Sequence, residues 1–305
     1  MTGLTDFITD TAWEDVFTIW FVLIDEAYVA LEGHFGVWRQ RGPAPRLHDS
    51  EVITISLIID TFFHGHEALG LSFLRQYHAG LFPALPSDGQ FNTRRRLVGP
   101  IMEQIRRYLT HSWGLIDPED PCRLGDSAPI PVCTYTRAKQ NTTLQGDAYF
   151  GIMPSRKAKL FGLRLQVTVT TDQVVDEWWL VPAGTHDSKA GMGEGVQEQV
   201  LLLDGAYHDP LTATVLRARR QVDSWAVPRQ DSRTPWPAAF RAWVTRIRRR
   251  IETVFSVLTT VFHIEQLGSR SLDGLFARIA TRMLAYTLCF VTQAMLAQLT
   301  GETPN

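Results

Sequence analysis

The sequence has only three cysteines, no lysine in its first 90 residues, and no internal repeat or low-complexity segment. Cys122, Cys133 and Cys289 form no close pair and show no metal-binding spacing. A disulfide scaffold and a zinc module are therefore excluded, and a reducing, cytoplasmic setting is expected. The N-terminus starts with acids and lacks a charged-then-apolar leader pattern. Its apolar runs Val52–Ile59 and Met283–Leu296 fall short of the roughly 20 residues a bilayer-spanning helix needs. No membrane partner is expected.

At 305 residues and 45% hydrophobic content, the chain can bury a large core. Its formal charge of −2 conceals an asymmetry. Residues 1–90 carry twelve acids against four arginines, a net of −8, and the remainder carries a net of +6. Within Gly205–Arg250 ten arginines face three aspartates, or +7 in 46 residues. Such a segment suits a polyanionic partner or a solvated basic helix face.

The first part reads as helices near Thr11–Glu32, Ser50–Phe63 (with Ser50 as N-cap) and Leu71–Tyr77, broken at Gly42-Pro43-Ala44-Pro45, Pro83 and Pro86. From Ser87 one long helix is expected through Leu109, with Arg94, Arg95 and Arg96 near its start. Short helices followed by a basic one fit either a helix-turn-helix or plain helical packing. From Cys122 the pattern changes to strands over Asp126–Val132, Leu163–Thr170, Val174–Val181 and Val200–Leu203. A helix near Pro210–Arg220, a strand Trp225–Pro228, a long helix Ala239–Phe262 and an apolar helix Leu272–Leu299 follow. Two domains are expected: an all-α N-terminal region, 1–115, and an α/β domain, 116–305.

Three carboxylates stand out. Val200–Leu203 is a buried-strand pattern that ends in Asp204, and ligands of open α/β sheets collect at carboxyl ends of strands. Asp126 sits at the expected head of the first strand, where a turn residue is the plainer reading. Glu252 lies beside the apolar stripe Ile247, Ile251, Val254, Phe255 and Leu258, with Arg248 one turn earlier. Arg248 and Glu252 also suit a surface ion pair. A few carboxylates plus substrate phosphates are what paired Mg²⁺ needs to activate an in-line phosphoryl displacement.

Leu124-Gly125-Asp126-Ser127-Ala128-Pro129 resembles the first-aspartate motif of bacterial insertion-sequence DDE transposases, and Leu202-Leu203-Asp204-Gly205-Ala206-Tyr207 resembles the second. Arg248-Arg249-Arg250-Ile251-Glu252-Thr253-Val254-Phe255-Ser256 resembles their glutamate helix, and Pro182 to Ala190 fits the linking segment. The insertion sequence 982 family is the most similar group. Related transposases extend the glutamate-helix pattern with a tyrosine and a lysine where this chain has Thr245 and Thr259. The resemblance implies an α/β fold with an RNase H-like mixed sheet flanked by helices. It implies a triad of Asp126, Asp204 and Glu252 binding two Mg²⁺, with Mn²⁺ able to substitute. The partners it implies are double-stranded DNA, at element ends and target, and a second copy of the chain in a homodimer. Arg229, Arg233, Arg241, Arg246, Arg248 and Arg249 are candidate DNA contacts, beside Arg94, Arg95 and Arg96. Trp236 suits stacking on an unpaired base or anchoring its own loop. His186 and Asp187 either stand behind the metal site, or Asp187 or Ser188 caps a short helix. Two other readings remain: an inactive transposase-derived DNA-binding protein, and an RNase H-like nuclease that cleaves without joining.

Overall fold

The structure, a computed structural model, describes residues 12–36, 38, 45–153, 158–192, 199–228 and 235–300. The chain forms two compact units, residues 1–115 together with 261–305, and residues 116–260. The sequence reading assigned 261–305 to the second domain; in the structure they fold with the N-terminal helices.

The helical unit comprises α1 (Trp13–Phe35), α2 (Asp49–Phe62), α3 (Glu67–Tyr77), α4 (Asp88–Leu97), α5 (Gly99–Ser112) and, from the far end of the chain, α8 (Leu272–Thr300). α8 packs on α2, α4 and α5. Its Ile279, Met283, Leu284 and Leu288 are fully buried, worth about 1.5–3 kcal/mol each in apolar burial. By length and composition α8 could cross a membrane, which the shorter run seen in the sequence did not suggest. Yet 78% of that stretch is buried inside the protein, as expected of a core helix.

Two local expectations are corrected. The single helix from Ser87 to Leu109 is two, α4 and α5, because Pro100 has no N–H for the bond to Arg96 and its ring crowds the carbonyl four residues back. Gly99 at the break lets the chain approach α8, where an added Cβ would come within 3.1 Å of Ala277 Cα. The N-cap of α2 is His48, in a capping box with Glu51; Ser50 Oγ instead donates to Asp25 at 2.6 Å.

The second unit contains β1 (Cys122–Pro131), β2 (Phe150–Met153), β3 (Ala158–Thr170), β4 (Val175–Pro182), β5 (Val200–Leu203), α6 (Pro210–Arg220), β6 (Asp223–Ala226) and α7 (Ala238–Thr260). β1, β3 and β4 form an antiparallel meander, and β5 and β6 continue the sheet in parallel from β1. Side by side the strands run β4-β3-β1-β5-β6, with β2 paired to the start of β3. This is the expected α/β class: a mixed, curled RNase H-like sheet flanked by helices and preceded by a helical region. Trp178 is core, and Trp179 donates its indole N–H to Ala190 O at 2.7 Å while packing beside Leu203 and Tyr207.

Candidate active site

The parallel register places the two aspartates. Leu124 on β1 pairs with Leu202 on β5, and Asp126 and Asp204 each lie two residues further along. Side chains alternate with period two, so both carboxylates emerge on the same face of neighbouring strands. β1 begins earlier than the sequence suggested, so Asp126 sits mid-strand rather than at its head. Gly125 makes the close packing possible, since a Cβ there would lie 2.6 Å from Leu203 Cδ2 and 2.9 Å from Met192 Sδ. Asp204 is exposed just past β5, where its carboxylate accepts the Gly205 N–H and caps a short 3₁₀ turn.

α7 lies against β1 and β5. Its buried stripe is Val244, Ile251, Val254 and Leu258. Arg248 falls on this inner face, four residues after Val244, and a buried guanidinium needs a counter-charge. Asp126 supplies it, with Arg248 Nη2 donating to Asp126 Oδ2 at 3.2 Å. Arg248 therefore pairs across the site with Asp126, not along the helix with Glu252. Glu252 is exposed and makes no hydrogen bond or ion pair among the described residues. The structure thus brings Asp126, Asp204 and Arg248 together and leaves Glu252 on the exposed side of the helix that delivers Arg248.

Asp126 is electrostatically uncomfortable. Burial pushes its carboxyl up to about 6, against the opposing pull of Arg248 and the Ser127 N–H, with Asp204 and Asp187 pushing further. Asp187 is held in turn by Arg164, whose Nη1 donates to its Oδ1 at 2.6 Å, and sits 3.5 Å from Ser127 Oγ. His186 caps the 3₁₀ turn Asp187–Lys189 by accepting the Ser188 N–H. The cap is thus His186, not the Asp187 or Ser188 that the sequence suggested, and Asp187 lies close enough to raise the Asp126 carboxyl. Lys189 ties the turn to Asp209, the N-cap of α6.

Three contributors went unrecognised in the sequence. Gln166 lies opposite Ser127 in the β1–β3 ladder, is fully buried, and accepts from Tyr207 Oη at 2.9 Å. Arg164, opposite Pro129, anchors Asp187. A charged and a polar side chain within a largely apolar strand were the available signals for Arg164 and Gln166, and Tyr207 stood in the second-aspartate motif without a role of its own.

The donor chemistry fits a divalent cation. Asp126, Asp204 and Asp187 offer hard carboxylate oxygens that repel one another, which favours binding of positive charge. They are not closed into a ready cage, since no group of three acidic, histidine or cysteine side chains stands at ligating distance among the described residues.

The arginine candidates sort unevenly. Arg246 and Arg249 are exposed on α7, whereas Arg241 is half-buried. Arg229 and Arg233 lie outside the described residues. Trp236 is half-buried and its ring meets Phe240 edge-on at 5.1 Å, which is the loop-anchoring alternative. In the helical unit Arg95 is corrected as a DNA contact: it is 2% exposed and ion-paired to Asp60, so it cannot reach a backbone phosphate. Arg94 is mostly buried and committed to Asp49 and the Leu47 carbonyl. Arg96 is half-buried but makes no ion pair among the described residues.

Residues 117–288, more than half of the chain, match the transposase DDE domain family. No curated protein and no solved structure matches the chain. The matched stretch begins just before β1 and runs through both aspartate strands and α7 into α8. The chain belongs to the transposase DDE domain family.

Proposed function

We propose that the protein is an insertion-sequence transposase, of the insertion sequence 982 type, that nicks DNA at the ends of its element and joins the freed 3′-hydroxyl to target DNA. The observation that carries this reading is the emergence of Asp126 and Asp204 side by side on parallel strands, with Arg248 of the glutamate helix reaching Asp126.

Transposases of this family generally use divalent metals. Asp126, Asp204 and Glu252 would hold two Mg²⁺, or Mn²⁺, which supply charge neutralisation at the attacking and leaving oxygens. Around them, Arg164 keeps Asp187 beside Asp126, and the Ser127 N–H fixes one Asp126 oxygen. Arg248, already within reach of the carboxylates, is positioned to share its guanidinium with a DNA phosphate. The exposed Arg246 and Arg249 extend this cationic side along α7, with Arg241, Arg229 and Arg233 as further backbone contacts. A homodimer would hold the two element ends together. The described cysteines are free, as suits a cytoplasmic protein acting on DNA.

The test is cleavage of a duplex carrying the element's end under Mg²⁺, comparing wild type with Asp204→Ala. The variant should show no cutting. Equal cutting by both proteins refutes the assignment. Cutting without strand-transfer products in the presence of target DNA identifies a hydrolytic nuclease instead.

A further inference from the structure

The helical unit contains a cleft of about 300 Å³ between α4, α8 and the loop that precedes α8. Arg96, Arg270 and Arg278 line it, with Asn92, Ser269 and Ser271, and among the described residues no acidic side chain does. The volume lies at the lower end of the range for small-ligand sites.

The cleft opens on a buried charge cluster that is short of negative charge. Asp60 and Glu67 are the two carboxylates, and Arg95, Arg278 and Arg282 are the three guanidinium groups. Arg282 bonds Asp60 Oδ2 at 3.2 Å, and Arg278 stands 3.9 Å from Asp60 and 3.6 Å from Glu67. Three cations against two anions leave one positive charge in excess. The strain is visible in the arginines: burial holds Arg278 below its ordinary value and Arg282 down to about 10. Arg278 belongs both to this cluster and to the cleft wall.

Arg96 adds a second cation with no counter-ion. It makes no ion pair among the described residues, and its hydrogen bond to Thr93 Oγ1 is long, at 3.4 Å. Its Nε is buried without a partner, an unfavourable state unless something accepts from it. Beside it the hydroxyls are held in place: Ser269 Oγ donates to Ser271 O at 2.9 Å, and Ser271 Oγ accepts the Gly274 N–H at 3.1 Å. Gly274 is required there, since a Cβ would lie 2.7 Å from Ser269 Oγ. Arg96, which has no ion pair among the described residues, and Ser271 Oγ, which accepts from Gly274 and keeps its own proton to give, are donors on one cleft wall that match a tetrahedral oxyanion with several lone pairs.

We propose that this cleft binds a phosphate group, either a backbone phosphodiester of DNA or a free phosphate. The DNA arm rests on the transposase reading; the phosphate chemistry does not.

The experiment uses the full chain in EDTA, so that cleavage plays no part. Inorganic phosphate is titrated by calorimetry in a chloride background, and a labelled duplex of arbitrary sequence is titrated by fluorescence anisotropy over a series of salt concentrations. Wild type is compared with Arg96→Gln and Arg270→Gln, each checked for native circular dichroism. Phosphate binding should weaken about tenfold or more in each variant, since charge-assisted bonds are worth about 1.5–3 kcal/mol. If the source is DNA, the slope of log affinity against log salt should also fall by about 0.9 per lost contact. An unchanged slope with lost phosphate binding assigns the cleft to free phosphate. Variants that fold and match wild type in both titrations overturn the proposal. Absence of element-end cutting by wild type under Mg²⁺, with Arg96-dependent phosphate binding retained, would remove the transposase reading and leave the cleft.

Discussion

Replacing Asp126 by asparagine should stabilise the protein while removing its activity, because the attraction to Arg248 that it forfeits is smaller than the burial cost it relieves. The carboxyl titrates near 6, against an ordinary value of 3.8, because burial outweighs the help of Arg248 and the Ser127 N–H. Each unit corresponds to about 1.36 kcal/mol, so the charged form costs about 3 kcal/mol of folding free energy as a ceiling. The side chain is 28% exposed, so solvent screening brings this to about 2 kcal/mol. The sign follows from proton uptake. Between pH 3.8 and about 6 the folded state holds a proton that the unfolded state has released, so stability falls as pH rises through this window. The cost is absent below the window and complete above it. Asparagine keeps the shape and carries no charge. Asp126→Asn should therefore raise the midpoint of the transition that melts the sheet unit by about 6 °C at pH 7.5, taking about 3 °C per kcal/mol. At pH 3.5 the difference should vanish. Scanning calorimetry in EDTA at several pH values measures this. A shift of the same size at every pH would refute the electrostatic account, and so would destabilisation at pH 7.5. Added Mg²⁺ at ten times its Kd should stabilise wild type by about 1.4 kcal/mol and leave the variant unmoved.

Two further outcomes separate catalysis from architecture. Glu252→Gln should leave stability within about 0.5 kcal/mol, because the side chain is exposed and unpartnered among the described residues. It should still lower element-end cleavage about 100-fold or more, as expected for loss of a metal ligand; an unfolded variant, or one that cuts normally, would remove Glu252 from the triad. Asp60→Asn should cost about 3–5 kcal/mol in urea unfolding of the helical unit, since it strips the buried arginines of their central counter-charge. A loss under about 1 kcal/mol would mean that the cluster does not depend on Asp60.

Much of the sheet-containing unit was legible in advance because its signals are local. Val200–Leu203 reads as a buried strand and is β5, and the Pro210–Arg220 helix is α6, since alternation and capping act over a few residues. Asp204 could be placed at a strand end for the same reason. The short strand β2 was missed: at four residues it is too brief to carry a pattern, and it exists through pairing with β3. The split of α4 from α5 was written in Pro100, but apolar periodicity on both sides concealed it.

Register and burial depend on distant parts of the chain. That Asp126 and Asp204 emerge together depends on Leu124 pairing with Leu202, a contact between segments some 80 residues apart. Arg248 looks along its own helix to Glu252 in the sequence, yet only the packed structure shows it turned inward to Asp126. Arg94, Arg95 and Arg96 are three consecutive arginines with equal claim to DNA. Helical geometry sends Arg95 into the core against Asp60 and leaves Arg96 at the cleft. The sequence by itself determined the family, the order of the elements and the residue types of the site, because these are carried by motifs and by periodicity along the chain. The tertiary structure decided which charges meet and which α-helices share a core, α8 joining the N-terminal helices included. Those choices turn on which buried groups find a counter-charge, and a counter-charge can come from anywhere in the chain.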